Sequence, residues 1–299
     1  MRRRYPAMLI GLALIWGASF MFIKVAVREL TPATLILGRL GLAALTLALV
    51  VPFAIGARTT LAELRANWRW LSVVALVNTA IPFWLLSWGE TRIDSGLASI
   101  MQAAVPIFNA VIAFGFFREV RVTGIRLAGV AVGFVGVALL VSAQPHGKVL
   151  GALAVVGMAL CYGVGGLLAG RHLPSVSPLV VALGTTAVAA TVALPAGVLQ
   201  APHHDPGWKV ILSVVALGIP GTAIAYLLFF GMVSGVGAAF ASLVTYLVPP
   251  IALAYGAVFL GERFGASAFG GLALILGGVA LGSGVGGSLV LRRRLASGV

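Results

Sequence analysis

Ser95, Ser99, Gln102, Pro106 and Asn109 follow one another at intervals of four, three, four and three, so on a helix they share one face. Their hydroxyls and amides are neutral donors and acceptors, suited to recognising a polar solute and unsuited to breaking a bond. Pro106 lacks a backbone donor and leaves a carbonyl one turn back free for a ligand or a polar side chain. Ser242, Thr245 and Pro249 repeat the pattern in shortened form, each 143 residues after Ser99, Gln102 and Pro106. The flanking sequence is apolar, and a polar stripe in lipid must face protein or water. Two such stripes facing each other would line a cavity. The alternative is a set of interhelical hydrogen bonds, each worth roughly 0.6 kcal/mol.

Aromatic side chains with a polar edge form a second group. Trp16 pairs with Tyr162 at a shift of 146 and Trp84 with Tyr226 at 142, while Trp88 lies one turn beyond Trp84 and Tyr246 follows Thr245. Such rings suit a pocket for amphiphilic solutes, although membrane aromatics also serve as packing or belt residues. Asn78 interrupts an apolar run and joins the list. Lys24 and Arg39 are the basic residues set well inside apolar segments, and the repeat replaces them by Gly170 and Thr185. They are expected to meet a substrate carboxylate or to close a gate with Glu29, Glu90 or Asp94, or else to snorkel to headgroups. Glu119 and Glu262 each sit beside an arginine (Arg118 and Arg121; Arg263) and read as loop ion pairs. With no acid and no histidine set deep in an apolar segment, the usual proton relays are missing, which points to facilitated or exchange transport.

The elements that must hold these residues are long apolar helices. The 299 residues are 61% hydrophobic and only 9% charged, with a mean hydropathy of +1.11, too little charge to cover a soluble surface. Ten runs of about 20 apolar residues, long enough to span a bilayer, fall near 7–27, 33–56, 70–90, 95–117, 123–142, 150–170, 177–199, 209–231, 236–260 and 265–285. Trp68, Trp70 and Trp208 stand at span entrances as belt anchors. The fold class is therefore an all-helical integral membrane protein. The first repeat is residues 1–145 and the second 146–299; five spans in each is an odd number, so the halves enter the membrane in opposite senses around a central cavity.

The net charge of +13 is distributed by side. With the N-terminus inside, Arg2, Arg3, Arg4, Arg58, Arg65, Arg69, Arg118, Arg121, Arg126, Arg171, Arg292, Arg293 and Arg294 face the cytoplasm, against Arg28, Arg92, Lys148, Lys209 and Arg263 outside. Thirteen against five is a positive-inside bias that places both termini in the cytoplasm of a bacterial inner membrane. It also speaks against nucleic acid, which needs basic residues gathered on one folded face. One cysteine, Cys161, forms no disulfide within the chain. No metal-ligand, phosphate-loop or nucleophile motif occurs, so neither an enzyme nor a cofactor or metal is expected. Thirty-nine glycines, dense in the fifth, sixth, ninth and tenth spans, allow close helix packing. That packing is as well explained inside one chain as between two, so it fixes no oligomeric state.

Trp16-Gly17-Ala18-Ser19-Phe20, Lys24, Thr31-Pro32 and Arg39 resemble the opening of the drug/metabolite transporter superfamily, and of its EamA-type exporters in particular. Pro106 to Phe117 with Glu119, Pro249 to Leu260 with Gly261-Glu262-Arg263, and the glycine-rich spans 123–142 and 265–285 extend the resemblance over residues 7–285. It implies ten helices in two inverted repeats and movement of small polar metabolites, often amino acids and often outward. The expected function is a secondary transporter that exports amino acids or similar small metabolites by alternating access, with that solute and the lipid bilayer as partners. A sugar-phosphate, nucleotide-sugar or drug transporter is the nearest alternative, and a pore or membrane scaffold a further one.

Overall fold

The structure, a computed structural model, describes residues 4–116, 124–143 and 148–282. Backbone in lipid must satisfy its own hydrogen bonds, and among the described residues every apolar run is built of helix. The first two helices are α1 (Arg4–Ala26) and α2 (Pro32–Ile55). Thr31 caps α2 by accepting from the Thr34 N–H at 3.3 Å, ahead of Pro32 in the first turn.

The third run is one helical stretch of 34 residues, Ala57–Glu90: α3 (Ala57–Ala75), a π-helical segment Leu76–Ala80, and α4 (Ile81–Glu90). It begins at residue 57, not 70, because its first turns carry Arg58, Glu63, Arg65 and Arg69 on good helix formers, which hydropathy alone does not register. The fourth run splits into α5 (Ser95–Gln102) and α6 (Val105–Phe116), just ahead of Pro106. Then come α7 (Gly124–Ser142), α8 (Val149–His172) and α9 (Pro178–Leu199). The chain continues as α10 (Trp208–Gly218), a second π segment Ile219–Ile224, and α11 (Ala225–Val236). Last are α12 (Ala238–Ala241), α13 (Val244–Leu260) and α14 (Ala266–Gly282). The two π segments start 143 residues apart, at Leu76 and Ile219, the first followed by Pro82 and the second containing Pro220, neither of which can donate to the α-helical ladder.

Among the described residues seven helical stretches are long and apolar enough to cross a membrane, and Leu127–Ser142, Val244–Leu260 and Ala266–Leu281 are shorter apolar helices. No strand occurs among the described residues. The protein is thus an all-helical, multi-pass membrane protein. Helices pack across the two halves of the chain: α7 on α14, α2 on α9, α1 on α13 and α10, and α8 on α4 and α6. Glycine makes the closest approach possible. A methyl group on Gly278 would lie 2.6 Å from the Gly129 carbonyl and the Gly133 nitrogen, so α7 and α14 touch backbone to backbone.

Acids knit the helix ends together. Glu63 accepts from the Ser177 N–H (2.8 Å) at the start of α9, and Glu29 from the Gly207 N–H (2.7 Å) at the start of α10. Each carboxylate thus satisfies an orphan donor at a positive helix end. The Glu119 ion pair with Arg118 or Arg121, and Arg2, Arg3 and Arg292 to Arg294, lie outside the described residues.

Candidate functional site

A cavity of about 390 Å³ lies between the two halves of the chain. Helix α1 gives it Trp16, Ser19 and Phe20; α5 and α6 give Ser99, Gln102, Pro106 and Asn109; α13 gives Thr245 and Pro249, with Ser242 just before it. From Ser99 to Asn109 the stripe inferred from spacing therefore runs along the wall, although the helix breaks within it. Ser99 donates to the Gly96 carbonyl (2.6 Å) and Thr245 to the Ser242 carbonyl (2.8 Å), each bond lying within its own helical turn. Tyr162 of α8 and Tyr226 of α11 complete the aromatic lining.

Both π segments bring a polar side chain to the wall. Asn78 in the first packs so closely on Gly165 of α8 that a methyl group there would come within 2.5 Å of its Cβ. Thr222 in the second donates to the Leu217 carbonyl at 2.8 Å, using an acceptor that the local unwinding exposes.

Arg39 of α2 completes the site. Its Nε donates to Thr222 Oγ1 at 3.0 Å, and its guanidinium carbon stands 4.2 Å from the centre of the Phe83 ring. The residue is 7% exposed, yet no carboxylate pairs with it among the described residues, and its two Nη groups have no hydrogen-bond partner there. Among the described residues Lys or Arg occurs nowhere else in the lining. A chain of Arg39 to Thr222 to the Leu217 carbonyl thus holds a guanidinium with its fork turned to the cavity. That geometry suits a carboxylate, which it can take in two parallel bonds.

Five of the residues singled out by sequence lie elsewhere, the first being Ser95, which bonds the Glu262 carboxylate. Trp84 and Trp88 stack on each other at 6.1 Å, Trp84 is 43% exposed, and the Arg92 guanidinium sits 3.5 Å over Trp88. The neighbours Phe83 and Leu86 line the cavity instead, which turns the 84/88 face away from it. Tyr246 packs against the apolar core, since Thr245 takes the inward direction on α13. Lys24 does not reach the cavity either: its ammonium donates to the carbonyls of Glu90 (2.7 Å) and Ile93 (2.6 Å). Sequence reasoning missed Ser19, Phe83 and Thr222. Thr222, three residues before Ala225 and beside Pro220-Gly221, had a signal in that helix-breaking dipeptide.

Beyond the cavity the two halves meet at one end of the bundle. Glu262 follows Gly261, whose positive φ of 69° turns the chain back at the end of α13. Its carboxylate accepts from the Ser95 N–H (2.8 Å), the Ser95 hydroxyl (3.0 Å) and the Gly96 N–H (3.1 Å) at the start of α5. The expected ion pair with Arg263 is therefore replaced by a helix cap. Glu90, the last residue of α4, lies near it with no exposed surface.

Comparison with known proteins bears on what this arrangement is for. The EamA-like transporter family model matches residues 4–142 and again 149–284. The chain belongs to the EamA-like transporter family. EamA-like proteins are membrane transporters with small-molecule substrates, and the relatives are described as an exporter or as transporters. A probable terminal-alkyne amino-acid exporter of Streptantibioticus cattleyicolor is 31% identical over 273 residues, 89% of each chain. An uncharacterized transporter of Archaeoglobus fulgidus is 24% identical over 88% of this chain and 93% of its own. A solved crystal structure shares the fold, with a TM-score of 0.66 and 21% identity over 94% of this chain and 98% of that one.

Proposed function

We propose that this EamA-like protein exports small carboxylate-bearing metabolites, amino acids foremost, across the bacterial cytoplasmic membrane by exchange-type alternating access. The observation that carries the reading is the unpaired guanidinium fork of Arg39 in a cavity walled by aromatic, hydroxyl and amide side chains. A charged group buried without a partner is costly, and an α-carboxylate supplies that partner when the solute enters. The rings of Trp16, Tyr162 and Tyr226 then face the solute's side chain. The similarity to a probable terminal-alkyne amino-acid exporter agrees with this substrate class.

The architecture we infer is ten crossings in two inverted repeats, 1–145 and 146–299, with both termini cytoplasmic. Two successive family matches support it. So does the packing: the contacts of α1 with α13 and α11 are echoed by those of α8 with α6 and α4, as a two-fold relation between halves would require. Rocking of one half against the other would open the cavity to each side in turn. A phosphorylated substrate fits less well, because phosphate is normally held by several converging donors and Arg39 is the cation in this lining.

Counterflow in proteoliposomes tests the reading. Liposomes preloaded with one amino acid should take up labelled amino acid saturably, and amines that lack the carboxylate should fail to compete. Equal competition by those amines would overturn it.

A further inference from the structure

Glu90 is the last residue of α4, with no exposed surface, and neither of its carboxylate oxygens has a hydrogen-bond partner. The groups around it are few. Helix α1 presents Lys24, α2 presents Arg39, and the turn after α13 presents Glu262. Helix α8 carries Cys161 and Tyr162, with Arg171 and His172 at its far end, and starts beyond Lys148; α5 and the segment Leu76–Ala80 carry no titratable side chain; Arg92 and Asp94 stand on the connection that follows. Lys24 is the natural counter-ion, yet its ammonium is spent on the backbone carbonyls of Glu90 and Ile93. Glu262 is itself an anion, held by the start of α5. An ionised carboxylate enclosed here would be unpaired and beside a second negative charge, whereas a carboxylic acid would not.

We propose that Glu90 is a proton-binding site whose occupancy is required for this end of the bundle to close. On the transporter reading this end faces outward. A proton delivered by external water adds to one carboxylate oxygen, the acid is enclosed as α13 brings Glu262 onto α5, and no other bond changes. When the end opens, water reaches Glu90 and the proton leaves. The Lys24 ammonium then swings from the two carbonyls to the new carboxylate, which frees the end of α4 and holds the open form. The proton, taken from external water and returned to it, thereby links the state of the cavity to external pH.

The test needs no substrate, so its failure is distinct from failure of the amino-acid reading. In a Cys161→Ala background, Ser99→Cys reports access to the cavity. It is labelled with a membrane-impermeant maleimide from outside, at several external pH values, and rates are divided by those of the detergent-unfolded chain to remove the thiol's own titration. Labelling should accelerate as external pH rises, and Glu90→Gln should stay slow throughout. Glu262→Gln should be faster at every pH yet keep the slope. A slope that persists in Glu90→Gln, or is absent from the unmodified gate, overturns the proposal. Infrared pH-difference spectra of the unlabelled protein provide a second readout should Glu90→Gln fail to fold. A protonated-carboxyl band should appear on acidification and move in Glu90→Asp; no band, or one that Glu90→Asp leaves in place, overturns it as well.

Discussion

The cavity and the end of the bundle beyond it each hold a basic residue from the first half of the chain, and treat it in opposite ways. Lys24 has both of its observed hydrogen bonds to backbone carbonyls at 2.6–2.7 Å, at the point where α4 ends and its last acceptors have no helical donors. Arg39 has one bond, to Thr222, and a ring beneath it, leaving its fork open. The first is a fastener and the second a receptor. The acids divide the same way: Glu262 is satisfied by three donors of α5, while Glu90 beside it has none. The sign of a charge is thus a poor guide to role; what decides is whether neighbouring backbone ends have already claimed it.

The sharpest way to break this contrast is to exchange the charges one at a time. Arg39→Gln should raise the concentration for half-maximal counterflow roughly 10- to 100-fold, since a charge-assisted bond is worth about 1.5–3 kcal/mol. Lys24→Gln should slow counterflow with little change in that concentration. If Lys24→Gln weakens affinity as much as Arg39→Gln, the distinction between fastener and receptor is wrong.

A smaller effect is expected from Glu262→Ala, which orphans two N–H groups at the start of α5. It should destabilise the protein by about 1–2 kcal/mol, read as a lower melting temperature in detergent, while the half-saturation concentration stays put. Comparable destabilisation should come from Gly278→Ala at the α7–α14 contact, by about 1–3 kcal/mol of overpacking. Gly277→Ala, with nothing within 4 Å of the added carbon, should be silent. Equal melting temperatures for the two would remove the close backbone contact from the account.

The smallest effect belongs to Trp84→Ala. Away from the cavity and 43% exposed, it should leave counterflow within about 0.5 kcal/mol of the parent, which Trp16→Ala should not. A Trp84 variant as damaged as the Trp16 variant would return the outer face of α4 to the site.

The spacing of Ser99, Gln102, Pro106 and Asn109, and its echo in Ser242, Thr245 and Pro249, made one wall of the cavity legible before any coordinates. The reason is that polar residues in an apolar run are conspicuous and a helix has a known period. The aromatic choices were less secure. Trp84, Trp88 and Tyr246 carry the same chemistry as Trp16, Tyr162 and Tyr226, but a lipid-facing helix is apolar on every side, so hydropathy does not say which side faces inward.

Sequence by itself determined the helical membrane-spanning class, the internal repeat and the polar stripe, because each follows from local composition and periodicity. Only the tertiary structure decided that Phe83 and not Trp84 looks inward, that Thr222 steadies Arg39, and that Lys24 is committed to carbonyls. It alone buried Glu90 beside Glu262, residues 172 positions apart. Those outcomes depend on how helices from the two halves pack, and long-range packing leaves no period in the chain.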